Sequence, residues 1–155
     1  MGVLAHGRWG ENRDRIKYEM IFSLGNFKSD IMDRIRTHKD LQVYQSAFQV
    51  ALEIYQISKS FPPEEKYSLT DQIRRSSRSV CSNTAEAFRK KRYPKSFIAK
   101  LSDSEGEAAE TQVWLDFSLA FNYIDNEKHA LLYDKYDHIL SQLVIMINSP
   151  EKWCH

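Results

Sequence analysis

The chain is predicted to fold as an all-α protein, an antiparallel up-and-down four-helix bundle, and three observations predict it. Only five Gly and four Pro among 155 residues leave little material for the many turns of an all-β fold. After residue 38 the apolar side chains recur every three or four positions, the period of a helix with one face in a core. The interruptions are short and carry helix-stopping or helix-starting residues, namely Phe61-Pro62-Pro63, Tyr93-Pro94 and Asp125-Asn126. A content of 42% apolar and 28% charged residues is ordinary for a single domain with its own core.

Residues 1–37 differ from the rest, since Gly2, Gly7, Gly10 and Gly25 fall here and the periodicity is poor. They are expected to form a loosely attached or disordered extension. Two readings stay open: a helix from Ile16 to Phe22, or an upstream stretch preceding a start at Met32. The bundle is assigned to residues 38–150, and 151–155 to a tail.

The first helix is expected from Leu41 to Ser60. Val43, Ala47, Val50, Ile54, Ile57 and Phe61 make one stripe, and Leu41, Tyr44, Phe48, Ala51 and Tyr55 make a second beside it. A helix in a lone bundle needs an apolar stripe of somewhat over 100°, so the second stripe calls for another partner, and self-association supplies one. Pro62 and Pro63 end the helix because they cannot extend its hydrogen bonding.

Ser68-Leu-Thr-Asp71 offers a capped start to the second helix, which runs to about Lys91. Leu69, Ile73, Ser76, Val80, Thr84 and Ala87 fall on its packing side, and Asp71, Arg74, Arg78 and Arg89 fall opposite. A further stripe holds Arg75, Ser79, Ser82 and Glu86. Arg75 and Glu86 lie roughly 16 Å apart along the axis and cannot pair with each other. Either a partner helix meets them or Glu86 turns to Arg89 or Lys90 within its own helix, and the local contact is favoured.

Pro94 suits the first turn of the third helix, which is expected to reach Tyr123. Phe97, Leu101, Ser104, Ala108, Thr111 and Leu115 face inward, while Val113 to Phe121 is apolar almost all round and again implies burial on more than one side. The fourth helix follows the Asp125-Asn126 turn, carries Leu132, Tyr136, Ile139, Leu143 and Ile147 on one stripe, and closes at Pro150.

Little here suggests catalysis. There is no Glu-x-x-His pair of the kind that holds di-iron in bundles, the five histidines do not cluster at ligand spacing, and no Gly-rich loop cradles a phosphate. Cys81 and Cys154 form no CxxC, and Cys81 reads as a small core residue. The expectation is therefore no enzyme, no cofactor and no metal. No apolar run approaches the length needed to span a bilayer and no secretory leader opens the chain, so a cytoplasmic protein without a membrane partner is expected.

Charge is uneven although the formal net is only +1. From Arg74 to Lys100 the cations Arg74, Arg75, Arg78, Arg89, Lys90, Lys91, Arg92, Lys95 and Lys100 face one anion, Glu86. From Leu101 to Glu127 every charged residue is acidic. Cations near helix ends can hold phosphates, and Tyr93 and Phe97 beside Arg89 to Arg92 offer faces on which an unpaired base could stack. The plainer reading is that cations at a helix C-terminus complement its dipole and are met by the acidic stripe of the third helix.

These residues resemble the bacterial four-helix-bundle proteins encoded in intervening sequences of 23S rRNA genes. The resemblance rests on Leu41-Gln-Val-Tyr-Gln-Ser-Ala47, Ile54-Tyr55, Phe61-Pro62 with Glu65, Tyr67 to Arg75, Ser79-Val80, Asn83 with Ala85-Glu86, and Glu110-Thr-Gln-Val-Trp-Leu115. Where such proteins usually carry Asn-Ile-Ala-Glu-Gly, this chain has Asn83-Thr-Ala-Glu-Ala87. The resemblance implies a homo-oligomer, typically a pentamer, without known catalysis. A related branch, the accessory proteins of diversity-generating retroelements, binds nucleic acid through a basic surface and also binds the reverse transcriptase. By similarity, RNA or DNA contact is expected at Arg74, Arg75, Arg78, Arg89, Lys90, Lys91, Arg92 and Lys95. The oligomer interface is expected at Tyr44, Phe48, Tyr55, Arg75, Ser79, Glu86, Trp114, Phe117 and Phe121. The rival expectation is a ring-shaped scaffold that recruits a protein, such as a reverse transcriptase, and has no direct nucleic-acid role.

Overall fold

The bundle begins at a capped turn. Thr37 accepts from the Lys39 N–H and donates its own N–H to Asp40, closing a capping box over the short 3-10 turn His38–Asp40. The computed structural model describes residues 35–154, so the expectations for the extension, including the Ile16 to Phe22 helix, lie outside the described residues. Among the described residues there are four α-helices and no strand: α1 Gln42–Ile57, α2 Leu69–Arg89, α3 Pro94–Ala120 and α4 Asn126–Asn148. They make the antiparallel up-and-down bundle that the periodicity predicts, within the compact unit Thr37–His155. Packing is most extensive between α2 and α3, then between α3 and α4 and between α1 and α2, and least between α1 and α4.

The stops act much as their residues dictate. After α1, the backbone tightens into the 3-10 turn Ser58–Ser60 before Pro62. Pro94, lacking an N–H, opens α3 where none is needed. Asn122 takes the left-handed conformation at φ 60° just past α3, and the Tyr123 and Asn122 N–H groups donate back to Ser118 and Leu119, the Schellman way of ending a helix. Asp125 caps α4 by accepting from the Lys128 N–H at 2.7 Å.

One expected cap is replaced. Ser68 makes no cap bond; its hydroxyl donates to Glu65, and Glu65 itself accepts from the Leu69 N–H at 3.1 Å. These two donors hold the Glu65 carboxyl below its ordinary range.

The core follows the predicted stripes closely. Leu69, Ile73, Ser76, Val80, Thr84 and Ala87 of α2 are all buried, and so are Phe97, Leu101, Ser104, Ala108, Thr111 and Leu115 of α3. In α4 the last inward position is Met146; Ile147 is half-buried, because one more residue turns it 100° off the stripe. In α1, Val43, Ala47, Val50 and Ile54 are buried, and Ile57 only in part.

Between α2 and α3 the buried hydroxyls of Ser76, Thr84, Ser104 and Thr111 are hydrogen-bonded, while that of Thr70, near the start of α2, has no partner among the described residues. Thr84 and Ser104 both donate to the Val80 carbonyl, at 2.7 and 2.8 Å, and lie 2.9 Å from each other. Thr111 bonds Ser76 at 2.8 Å. Thr84 is thus bonded within the bundle. On the other side of the bundle the Lys135 ammonium bonds both carboxylate oxygens of Glu53 at 2.7 Å, clasping α4 to α1.

Candidate nucleic-acid interface

The α2–α3 turn concentrates the unpaired positive charge. Lys90 caps α2, donating its N–H to the Glu86 and Ala87 carbonyls, and the Tyr93 N–H returns to the Lys90 carbonyl at 2.8 Å. Arg89, Lys90, Arg92 and Lys95 are exposed, and none of them enters an ion pair among the described residues. Lys91 differs: it is half-buried, with its ammonium 4.7 Å above the Phe88 ring.

The other predicted cations form a separate group. Arg78 and Arg89 are eleven residues apart, roughly 16 Å along the helix at 1.5 Å per residue. Arg74 donates to the Ser58 hydroxyl at 2.7 Å and lies 4.9 Å from the Tyr55 ring, which Arg78 and Lys59 also approach, at 5.9 and 4.8 Å. Arg75 sits 3.7 Å from Asp71, one turn back. The sequence therefore groups eight cations that the fold divides: Arg89, Lys90, Arg92 and Lys95 stand free at the turn, Arg74 and Arg78 gather at Tyr55, Lys91 lies over Phe88 and Arg75 pairs with Asp71.

Three acidic residues of α3, Asp103, Glu110 and Asp116, have partners away from the turn, while Glu107 feels the charge of Arg75. Asp103 and Glu86 both pair with Lys100 at 3.2 Å, Asp116 meets His129 at 2.7 Å, and Glu110 accepts from the Trp114 indole at 3.0 Å. Burial, then the neighbouring Glu110 charge, raises the Glu107 carboxyl above its ordinary range. The expected local contact of Glu86 with Arg89 or Lys90 is corrected: its partner is Lys100, fourteen residues on and across the seam. Spacing within one helix could not reveal that pair.

Of the two aromatics expected to face an unpaired base, only one is available. Phe97 is 1% exposed, a core residue as its position in the α3 stripe already implied, whereas Tyr93 is 67% exposed.

The residues expected at an oligomer interface lie in two apolar patches and a polar strip. Tyr44 and Phe48 stack 6.1 Å apart on α1, and with Ala51, Leu52 and Tyr55 they face Arg78, Cys81, Ser82 and Ala85 of α2 across a groove of about 460 Å³. Leu52, absent from the stripes expected of the first helix, lies four residues from Phe48 and three from Tyr55, so the helical period could have found it. On α3, Trp114, Phe117 and Phe121 form a ridge with centroids 5.8 and 5.7 Å apart, continued by Tyr123 at 5.6 Å. Phe48 and Phe121 are each 49% exposed. Ser79 is half-buried on α2, between the Arg75–Asp71 and Glu86–Lys100 pairs.

Among the described residues no group of three His, Cys, Asp or Glu side chains is placed to hold a metal ion, and no helix is long and apolar enough to cross a membrane. Burial pushes the Cys81 thiol up to about 11 and raises Cys154 as well, so neither has the lowered value of an activated nucleophile.

Fold and surface define a class: a four-helix bundle with an uncompensated basic turn and exposed aromatic faces. Within that class, a family model described as 23S rRNA-intervening sequence protein matches residues 39–144, and the chain belongs to that family. Among solved structures it is similar to a protein of unknown function from the S23 ribosomal protein family of Bacteroides thetaiotaomicron, with 28% identity and a TM-score of 0.63 over 68% of this chain and 95% of that one. No curated protein matches.

Proposed function

We propose that this chain is a non-enzymatic, cytoplasmic, homo-oligomeric bundle that binds RNA or DNA electrostatically through its α2–α3 turn. The observation that carries the reading is the state of Arg89, Lys90, Arg92 and Lys95, which are exposed and enter no ion pair among the described residues, while Asp103 and Asp116 of α3 meet Lys100 and His129 instead. A helix-dipole role accounts for one or two cations at the end of α2, not for a run that continues through the turn into α3. Repetition of the turn around an oligomer multiplies weak phosphate contacts into useful affinity. A pentameric ring is the assembly that family resemblance suggests.

The test is a salt titration of binding to a structured RNA. With about four phosphates neutralised by each turn engaged, affinity should fall at least roughly a hundredfold between 50 and 200 mM salt, following the counterion slope of about −0.9 per phosphate. Lys90→Glu with Arg92→Glu should weaken binding and flatten that slope, by about one unit for each phosphate no longer neutralised. Affinity that ignores both salt and charge reversal defeats the proposal.

The exposed α1–α2 groove and α3 ridge support the oligomer and also favour the second reading, a scaffold that recruits a protein partner. Light scattering of the purified chain should give a mass of several protomers, and Phe48→Glu or Phe121→Glu should reduce it. An oligomer that shows no saturable RNA binding near physiological salt would leave the scaffold reading standing alone.

A further inference from the structure

We infer that the α2–α3 turn selects unpaired nucleic-acid strands over duplexes, with Tyr93 as the platform on which one base stacks. The inference rests on the nucleic-acid reading above and adds the form of the strand. Among the described residues, two aromatic side chains are more than half exposed, Tyr67 at 85% and Tyr93 at 67%. The Tyr67 ring has the Lys66 ammonium 5.1 Å from its centroid and stands away from the basic turn in sequence, whereas Tyr93 makes no ring or cation contact among the described residues. The free ring is therefore the one that stands within the run of unpaired cations.

The platform is also held in place. Tyr93 donates its N–H to the Lys90 carbonyl at 2.8 Å and accepts the Phe97 N–H at 2.9 Å, and Pro94 keeps it extended at φ −126°, ψ 91°. A fixed backbone lowers the entropy lost when a base settles on the ring. Phe97 in the core and Lys91 over Phe88 leave Tyr93 as the stacking surface of the turn.

Charge and stacking make opposite demands on the ligand, which is what makes selection testable. Cations alone favour a duplex, whose phosphates are the denser array, while a base inside a duplex cannot lie on a tyrosine without leaving its stack. A patch that combines both takes single strands of either sugar, because every base has a π-face.

The full-length chain is titrated into labelled oligo-uridine RNA, oligo-thymidine DNA and a blunt RNA duplex, all of equal length and in one buffer. Wild type should prefer both single strands to the duplex. Tyr93→Ala should weaken single-strand binding about tenfold, the scale of one lost base stack, and leave duplex binding unchanged, while Tyr93→Phe retains the preference. Tight binding of all probes that Tyr93→Ala does not alter overturns the inference and leaves the electrostatic reading intact. Binding of no probe by wild type overturns both. Since Tyr93 is a surface residue, loss of fold does not confuse the comparison.

Discussion

Lys100 on α3 lies 3.2 Å from the Glu86 carboxylate on α2 and 3.2 Å from Asp103 on its own helix, and so ties the end of the basic segment to the start of the acidic one. The hydrogen bonds that Lys100 donates to these two carboxylates, Glu86 first, raise its pKa. A raised lysine gives stability that is complete below its unfolded value and fades as pH climbs through the folded one. Lys100→Glu should lower Tm by setting three carboxylates together, and Lys100→Glu with Glu86→Lys should recover most of the loss. A double variant no more stable than the single would mean that the pair is uncoupled.

The hydroxyls of Thr84 and Ser104 meet at one carbonyl between α2 and α3. Ser104→Ala removes one bond to the Val80 carbonyl and leaves Thr84 its own, so it should cost about 1 kcal/mol in urea unfolding. Ser104→Leu must push the helices apart at a fully buried position and should cost about 2–3 kcal/mol with little change in m. Equal costs would show that volume is not what matters there.

Burial of Cys81, raising its thiol from 9.0 to about 11, has an alkaline consequence. The unfolded thiol ionises first, so this contribution to stability is complete below pH 9 and falls away between pH 9 and 11, by at most about 3 kcal/mol. Cys81→Ala should flatten the stability profile in that window, whatever it does at pH 7. Tyr136, whose phenol burial also raises, begins to lose its own contribution at its ordinary value of 10.0 and remains in the variant, so the flattening is clearest between pH 9 and 10.

Gly106 lies mid-helix in α3 with nothing within 4 Å of where a Cβ would stand. Gly106→Ala should therefore stabilise the chain by about 0.5–1 kcal/mol, read from thermal melts. No gain, or a loss of assembly in light scattering, would mean that another molecule approaches this glycine.

Much of this was legible in the sequence. The α2 stripe from Leu69 to Ala87 repeats at helical spacing and every member is buried, because one helix face against one core is a local pattern. Pairings between helices were not legible. Glu86 looked to Arg89 or Lys90 because those are its neighbours along the helix, yet Lys100 reaches it across a hairpin. Ser68 stands where a cap belongs, but Glu65 takes the Leu69 N–H first, through a turn whose shape residue type alone does not specify. The basic run is divided by the roughly 16 Å of helix between Arg78 and Arg89, a spacing the sequence carries, whereas the meeting of Arg74 and Arg78 with Tyr55, on another helix, is not legible in it.

The uneven joints between helices bear on how the molecule breathes. α1 rests least on α4, and that edge is fastened by the doubly bonded Glu53–Lys135 clasp. Amide hydrogens along α1 should exchange with solvent through openings that leave the α2–α3 hairpin shut, and cutting the clasp with Lys135→Ala should quicken exchange there first. The hairpin that presents the basic turn would then keep its shape while the outer helix comes and goes.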